Sequence, residues 1–186
     1  MTMRLPVVLY PDPRLMTKSR PVVHFDAALK SLAADMIETM RESEGIGLAA
    51  VQVGELLRLM TMDERFDRED KGEARVLVNP VIQEAVGTES CEEGCLSLPE
   101  IREVVERAAR VRVKAQDLDG KERVLEYEGI LARCIQHEID HMDGKLFVMK
   151  VPAVKRILLK PRLKELERRF KAEEANLPRK RQGASR

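Results

Sequence analysis

The sequence of 186 residues has no tryptophan, only three cysteines and three histidines, and no apolar run approaching 18 residues. Without such a run, a membrane-spanning helix is excluded. Three cysteines are too few, and an odd number, for a disulfide scaffold, which indicates free thiols or metal ligands. The N-terminal segment has no apolar stretch followed by a small-residue cleavage site, so we expect no signal peptide and a cytoplasmic location.

Charged residues make up 35% and hydrophobic residues 44% of the chain, which predicts one globular domain with one core. The charge is uneven. Residues 153–186 hold 12 Lys/Arg and 4 Asp/Glu, whereas the other 152 residues hold 21 and 28. A basic tail on an acidic body is typical of a protein that binds a polyanion such as nucleic acid or a membrane surface. It is equally typical of a tail that is only solvated, and both interpretations stay open.

Hydrophobic periodicity predicts strands in the middle of the chain and helices around them. Such a pattern favours an α+β fold over a doubly wound sheet. We expect a catalytic domain over 1–152, a C-terminal helix over 153–175 that packs on it or projects from it, and a disordered basic tail over 176–186. The predicted elements are a helix over Ala27–Met40, strands over Leu56–Met62 and Val76–Gln83, an irregular segment over Glu89–Pro99, two strands within Val104–Val124 joined at Asp119-Gly120, and helices over Ile130–Met142 and Val154–Ala175.

The C-terminal helix contains Pro161, which predicts a kink or a restart at that position. Its apolar residues are expected to face the core: Ile157, Leu158, Leu163, Leu166 and Phe170.

The helix over 130–142 carries the pattern H-E-x-x-H. Residues four apart lie on the same helix face, so His137 and His141 can bind one metal ion. Glu138 is rotated about 100° from His137, where it can reach a water on the metal without being a ligand. The alternative is a surface helix with two unrelated histidines, but two of the three histidines of the chain lie here.

A catalytic site of this kind needs a third protein ligand. No histidine follows His141, and the later glutamates lie on the basic tail. Cys134 is on the same helix but seven residues from His141, about 10 Å along the axis, which makes convergence of all three residues difficult. Cys91 and Cys95 remain, and the flexible backbone of Gly94 favours Cys95 without deciding the choice.

The segment from Gly45 to Gln52, GIGLAAVQ, is neither a phosphate-binding loop nor a dinucleotide fingerprint, because its glycine spacing fits neither. Gln52 is either a hydrogen-bonded core residue or a donor to a developing oxyanion. Arg102 and Arg107 follow the segment from Glu92 to Pro99. They either brace acidic groups, Asp140 among them, or lie on a solvated strand edge.

Taken together, GIGLAAVQ, EGCLS and QHEIDH resemble the three motifs of the peptide deformylase family, in order, from about residue 5 to the end of the C-terminal helix. The resemblance implies mixed or antiparallel strands around a central helix carrying H-E-x-x-H, with one helix before and one after. It implies that metal-bound hydroxide removes the formyl group from N-terminal N-formylmethionine and releases formate. The metal implied is Fe²⁺, with Zn²⁺, Ni²⁺ or Co²⁺ able to replace it.

The resemblance also implies a role for each matching residue. The metal ligands would be Cys95, His137 and His141, and Glu138 the general acid and base. Gln52 and the backbone N–H of Leu96 would stabilise the oxyanion, and Gly47 and Gly94 would hydrogen-bond the peptide backbone. The pocket for the substrate methionine would be formed by Ile46, Cys91, Glu93, Ile130, Arg133, Cys134 and the flank of His137.

At Arg133 the family often has an aliphatic residue, so we expect its stem to line the pocket while its guanidinium reaches solvent. The implied partners are N-formylmethionyl nascent peptides and, through the basic C-terminal helix, the ribosome near its exit tunnel. No membrane partner is expected, and the enzyme would act as a monomer. The alternatives are a general zinc peptidase with the same motif and a ribosome-binding module without activity.

Overall fold

A computed structural model describes residues 2–65 and 74–176 of the chain. Seven strands and three α-helices are found in this part, together with three short 3₁₀ turns. The strands are β1 (Gly47–Ala49), β2 (Leu59–Met62), β3 (Arg75–Val86), β4 (Glu89–Cys95), β5 (Leu98–Arg107), β6 (Arg110–Gln116) and β7 (Glu122–Glu128). The helices are α1 (Ala27–Glu42), α2 (Gly129–Met142) and α3 (Ala153–Asn176).

The strands form two antiparallel sheets, one of five strands in the order β1-β2-β3-β6-β7 and one of two strands, β4-β5. The fold is therefore α+β, as predicted. Strand β2 shows where the core lies, because all four of its residues are buried. Met60 and Met62 belong to the apolar cluster of α2, while Leu59 belongs to the cluster of α1. The five-stranded sheet is thus covered by α2 on one face and by α1 on the other.

Helix α1 follows the prediction and begins after Asp26, whose carboxylate accepts a 3.0 Å hydrogen bond from the backbone N–H of Leu29. The hairpin turn at Asp119-Gly120 is also confirmed. Gly120 has φ of +79° and donates its N–H to the carbonyl of Asp117 between β6 and β7. The first of the two strands predicted within Val104–Val124 is instead divided between β5 and β6, which belong to different sheets.

The prediction of an irregular segment over Glu89–Pro99 is wrong. Residues 89–95 form β4, which pairs with β5 from Glu89 opposite Arg107 to Gly94 opposite Arg102, and the register shifts between Gly94 and Cys95. The strand escaped prediction because it has no apolar alternation and is held by pairing with β5 and by ion pairs.

Helix α3 extends over the predicted segment and continues through Pro161. The prediction of its inner face is wrong at Ile157 and Leu158, which are 60% and 72% exposed. The prediction is confirmed at Leu166, which is buried, and Leu159 is buried although it was not among the predicted residues. Both pack in one cluster with residues of β5, namely Leu98, Ile101 and Val105. Leu163 packs at the edge of that cluster.

The basic tail is predicted to be disordered over 176–186. Asn176 is the last residue of α3, and residues 177–186 lie outside the described residues. None of the helices in the described part of the chain is both long and apolar enough to cross a bilayer.

Candidate metal centre and cleft

Three potential metal ligands from two different elements meet at one point. The Sγ atom of Cys95, at the end of β4, and a ring nitrogen each of His137 and His141, on α2, all lie within 4.8 Å of one another. Cys95 Sγ is 3.2 Å from His141 Nε2. Cys91 and Cys134 are not members of this group. The fold thus brings Cys95 to the histidines, a choice that spacing alone left open.

The ligand chemistry of this group fits a divalent transition metal. One thiolate and two imidazoles form a set that suits Fe²⁺ or Zn²⁺. Burial lowers the pKa of His141 well below its usual value, and the charge of His137 adds to this effect, so the His141 ring is neutral as a ligand must be. His141 Nδ1 and Glu138 Oε2 are buried beside the group and have no hydrogen-bond partner among the described residues.

His137 is oriented by Glu93. The Nδ1 atom of His137 lies 3.1 Å from Glu93 Oε2, which leaves Nε2 for a metal. Burial lowers the pKa of His137, but hydrogen bonds with Cys95 and Glu93 outweigh this and raise it to about 10, so a metal that binds at Nε2 would displace the proton held there. Burial raises the pKa of Glu93, but hydrogen bonds with His137 and Arg107 outweigh it and lower that pKa to about 2. Glu93 is therefore the charged acceptor, and Nδ1 is the donor.

Arg107 links β5 to α2 through two buried carboxylates. Its guanidinium donates to Glu93 over 2.6 and 2.9 Å and to Asp140 over 2.6 Å, and its side chain is only 1% exposed. Arg107 therefore braces Asp140, one of the two alternatives that its position in the sequence left open. Arg102 is instead exposed, with Glu92 at 3.6 Å.

Glu138 lies beside the ligands and is buried, with 4% of the residue exposed. Burial raises the pKa of its carboxyl group to about 7. The space it occupies depends on Gly47, because a Cβ atom on Gly47 would be 2.8 Å from Glu138 Oε1 and 2.5 Å from Cys134 Sγ. Helix α2 and strand β1 approach this closely only because residue 47 has no side chain.

Gln52 is 2% exposed and holds a fixed orientation. Its Oε1 accepts a 2.9 Å hydrogen bond from the N–H of Ala49, so the amide nitrogen points to the ligand group. Nε2 is 3.6 Å from Cys95 Sγ and 3.3 Å from Ser97 Oγ. Gln52 is thus both a buried, hydrogen-bonded residue and a donor aimed at the candidate site.

A cleft of about 550 Å³ opens over these residues. Most of the predicted site residues line it: Ile46, Gly47, Gln52, Glu93, Gly94, Cys95, Leu96, Ile130, Arg133, Cys134, His137 and Glu138. Cys91 does not line it and lies on β4 with its Sγ 3.7 Å from Glu89 Oε1. The sequence analysis missed several other lining residues: Ser43, Glu44, Gly45, Glu92, Leu98, Pro99, Glu100, Ile101 and Arg102. Two of them carry a signal in the sequence: Gly45 belongs to the glycine-rich segment, and Arg102 is one of the two arginines expected either to brace acidic groups or to lie on a solvated strand edge.

The expectation for Arg133 is wrong. Its guanidinium does not reach solvent, because the side chain is only 5% exposed and donates to Glu93 Oε1 over 2.6 Å. It also donates to the backbone carbonyls of Val105 and Glu89 over 2.9 and 2.7 Å. These acceptors lie 28 to 44 residues away in the sequence, so periodicity could not predict them.

Comparison with known proteins agrees with this geometry. A family model described as polypeptide deformylase matches residues 4–157. The peptide deformylase of Chromobacterium violaceum is 50% identical over 164 residues, which cover 88% of this chain and 96% of that protein. The crystal structure of a peptide deformylase from Legionella pneumophila matches with a TM-score of 0.81 and 43% identity over 95% of this chain and 100% of that one. The crystal structure of the peptide deformylase from Thermus thermophilus matches with a TM-score of 0.83 and 45% identity over 90% and 99%.

Proposed function

Because the chain belongs to the polypeptide deformylase family, whose members hydrolyse the formyl group of N-formylmethionine peptides, we propose that its cleft performs this reaction with Cys95, His137 and His141 as metal ligands. The observation that carries the proposal is the convergence of these three ligands within 4.8 Å, two of which, Cys95 and His137, line the cleft. The family is metal-dependent, and we propose Fe²⁺ as the native ion. The same ligands also suit Zn²⁺, Ni²⁺ or Co²⁺.

A divalent cation at this position would supply Lewis acidity, which makes hydroxide available near neutral pH. Glu138 takes the proton of the attacking water and then gives it to the amine nitrogen of the methionine. Its buried position and its unpartnered Oε2 beside the ligands support this role. The carbon–nitrogen bond of the formamide breaks, and the products are formate and a peptide with a free amino group.

Two donors are proposed to stabilise the negative charge that develops on the formyl oxygen. One is the amide nitrogen of Gln52, fixed by the hydrogen bond from Ala49, and the other is the backbone N–H of Leu96. Preorganised donors of this type act only as charge develops, so they lower the barrier rather than strengthen substrate binding.

The substrate methionine is proposed to occupy the part of the cleft between α2 and the β4-β5 hairpin. Ile46, Ile130 and Cys134 supply apolar surface there. Gly47 and Gly94 line the cleft and are proposed to hydrogen-bond the peptide backbone. Cys91 is outside this proposal because it does not line the cleft.

The test is formate release from formyl-Met-Ala-Ser by protein purified without oxygen, with metal content measured on the same sample. We expect rapid release and about one metal ion per chain, with Fe²⁺ in the native protein. Fully metallated protein that releases no formate would contradict the proposal. An unformylated peptide cut internally would favour the peptidase alternative instead, and equal rates on N-acetyl peptides would refute selection for the small formyl group.

The outer face of α3 is proposed to dock on the ribosome, where nascent chains emerge into the cytoplasm, with the enzyme acting as a monomer. Val154, Ile157 and Leu158 are exposed apolar residues there. They are accompanied by exposed basic residues spaced four apart: Arg156, Lys160 and Lys164. Phosphate contacts of such residues weaken steeply with salt.

Deletion of α3 would not test this docking cleanly, because Leu159 and Leu166 are part of the core. The triple variant Arg156→Glu, Lys160→Glu, Lys164→Glu avoids that problem. We expect it to lose salt-sensitive co-sedimentation with ribosomes while releasing formate from a free peptide at the wild-type rate. Lys121→Glu, an exposed charge reversal on the β6-β7 turn, is the control. Undiminished binding of the triple variant would contradict the docking.

A further inference from the structure

One buried arginine joins the two elements that supply the metal ligands. Arg133 is on α2, one turn before His137, and only 4% of the residue is exposed. None of its three hydrogen-bond acceptors is on α2. They are Glu93 Oε1 at 2.6 Å and the carbonyl of Glu89 at 2.7 Å, both on β4, and the carbonyl of Val105 at 2.9 Å on β5.

The acceptors of Arg133 are themselves close to the ligands. Glu93 contacts His137 Nδ1 at 3.1 Å and precedes Cys95 by two residues on the same strand. The Arg133 guanidinium therefore contacts the Glu93 carboxylate, which orients the ligand His137. It also contacts strand β4, which carries the ligand Cys95. Because a guanidinium is planar and presents five donors from three nitrogens, it can reach three fixed acceptors that lie on different sides of it. An ammonium offers its three donors from a single nitrogen, and an aliphatic side chain offers none.

Arg107 does not duplicate this connection. It extends from β5 to the carboxylates of Glu93 and Asp140 and makes no bond to the backbone of β4. Arg133 alone of the two arginines fixes the backbone of the hairpin to α2, at Glu89 and at Val105.

We propose that Arg133 is a positioning residue of the metal centre, which sets the distance between the two histidines on α2 and Cys95 on β4. This inference rests on the proposed function, since it takes Cys95, His137 and His141 as the ligands. Groups that orient metal ligands typically change metal affinity or activity by about 10–100-fold when they are removed. Metal affinity can thus distinguish a positioning role of Arg133 from a role in which its side chain only lines the pocket.

The test uses full-length protein and Co²⁺ alone as the probe. Metal affinity is measured by competition with a chelator, and the thiolate-to-cobalt absorption band reports on the Cys95 bond. We expect Arg133→Met to weaken Co²⁺ affinity about 10–100-fold and to shift or reduce the band. It should also lower kcat more than it raises KM. Arg123→Met, which removes an exposed arginine of β7, should leave all four quantities unchanged.

Two results would overturn the proposal. One is wild-type cobalt affinity and absorption in Arg133→Met with a change in KM only, which would make the residue a pocket wall. The other is wild-type affinity and absorption with a lower unfolding temperature only, which would make it a structural brace.

If Arg133→Met does not fold, Arg133→Lys carries the test. It keeps the charge but presents one nitrogen to three acceptors, so we expect a smaller loss of cobalt affinity in the same direction. A wild-type spectrum and affinity in a folded Lys variant would refute the inference. Failure of the proposed function is distinguishable, because then the wild-type protein itself would lack the band, or Cys95→Ala would retain it.

Discussion

The two regions that meet at the metal centre are stabilised in different ways. Helix α2 lies against the five-stranded sheet, and Ala132, Ile135 and Met142 are fully buried in its apolar core. The β4-β5 hairpin is a separate two-stranded sheet, and its first strand is mostly polar. That hairpin is held by α3 on one side and by buried arginine–carboxylate pairs on the other.

This difference means that the positions of the ligands on the helix and on the hairpin are fixed by different kinds of contact. The helix supplies ligands whose spacing is fixed locally, since His137 and His141 are one turn apart. The hairpin supplies a ligand whose position depends on contacts with distant parts of the chain. A two-stranded hairpin is marginal in isolation, so the contacts around it decide where Cys95 lies.

The largest effect is expected when the hairpin loses its ligand. Cys95→Ala should abolish metal binding and formate release, because two histidines alone leave the site incomplete. Metal content and activity measured on the same sample check this. Cys91→Ala, four residues earlier on β4, is the matched control and should keep both. If Cys91→Ala lost the metal and Cys95→Ala kept it, the assignment of the hairpin ligand would be reversed.

A loss of about 10²–10³-fold in kcat is expected for Gln52→Ala, since this is typical for removal of one oxyanion donor. KM and metal content should change little, because the donor acts on charge that develops during the reaction. Steady-state kinetics with the formylated peptide decide the matter. A raised KM with an unchanged kcat would show that Gln52 binds the ground state instead.

Gly47→Ala tests how closely β1 approaches the helix. The added Cβ would be under 3.0 Å from Glu138 Oε1 and Cys134 Sγ, so Glu138 must shift. Displacement of a catalytic group by about 1 Å can reduce the rate by about 10²-fold. Gly94→Ala is the comparison in the hairpin, where the Cβ would be 3.5 Å from Arg102 and no group must shift. Equal effects of the two variants on the unfolding temperature would contradict the steric argument.

The smallest effect on catalysis is expected when the packing of α3 against the β4-β5 hairpin is weakened. Leu159→Ala removes a buried contact with β5 and should lower the free energy of unfolding by about 2–5 kcal/mol. Leu158→Ala, next to it but exposed, should stay within about 0.5 kcal/mol of wild type. Denaturant unfolding measures both. Similar losses would mean that the helix faces are assigned wrongly.

The same contrast explains what the sequence could predict. The i, i+4 histidines and the apolar spacing of α1 and α2 are local patterns, and they predicted these helices correctly. The hairpin was predicted as irregular because ESCEEGC has no alternation, and its pairing is set by β5. The buried position of Arg133 depends on Glu93 and two carbonyls far away in the chain.

The inner face of α3 could be assigned only in part, at Leu163 and Leu166, for a related reason. Ile157, Leu158 and Leu159 follow one another, and all three are strongly apolar. Only the position of β5 decides which of them is covered, and that position is a tertiary property. By contrast, three motifs in the correct order were enough for the family resemblance, which the comparisons with known proteins support independently.

The central claim is that the helix and the hairpin bind a metal together while Glu138 moves the proton. Glu138→Gln tests it most directly, because the amide keeps the size of the carboxylate but cannot accept the proton. The measurement is metal content and formate release on one sample of the variant. The account predicts about one metal ion per chain and a loss of about 10²–10⁴-fold in kcat. Loss of the metal, or a wild-type rate with the metal bound, would contradict it.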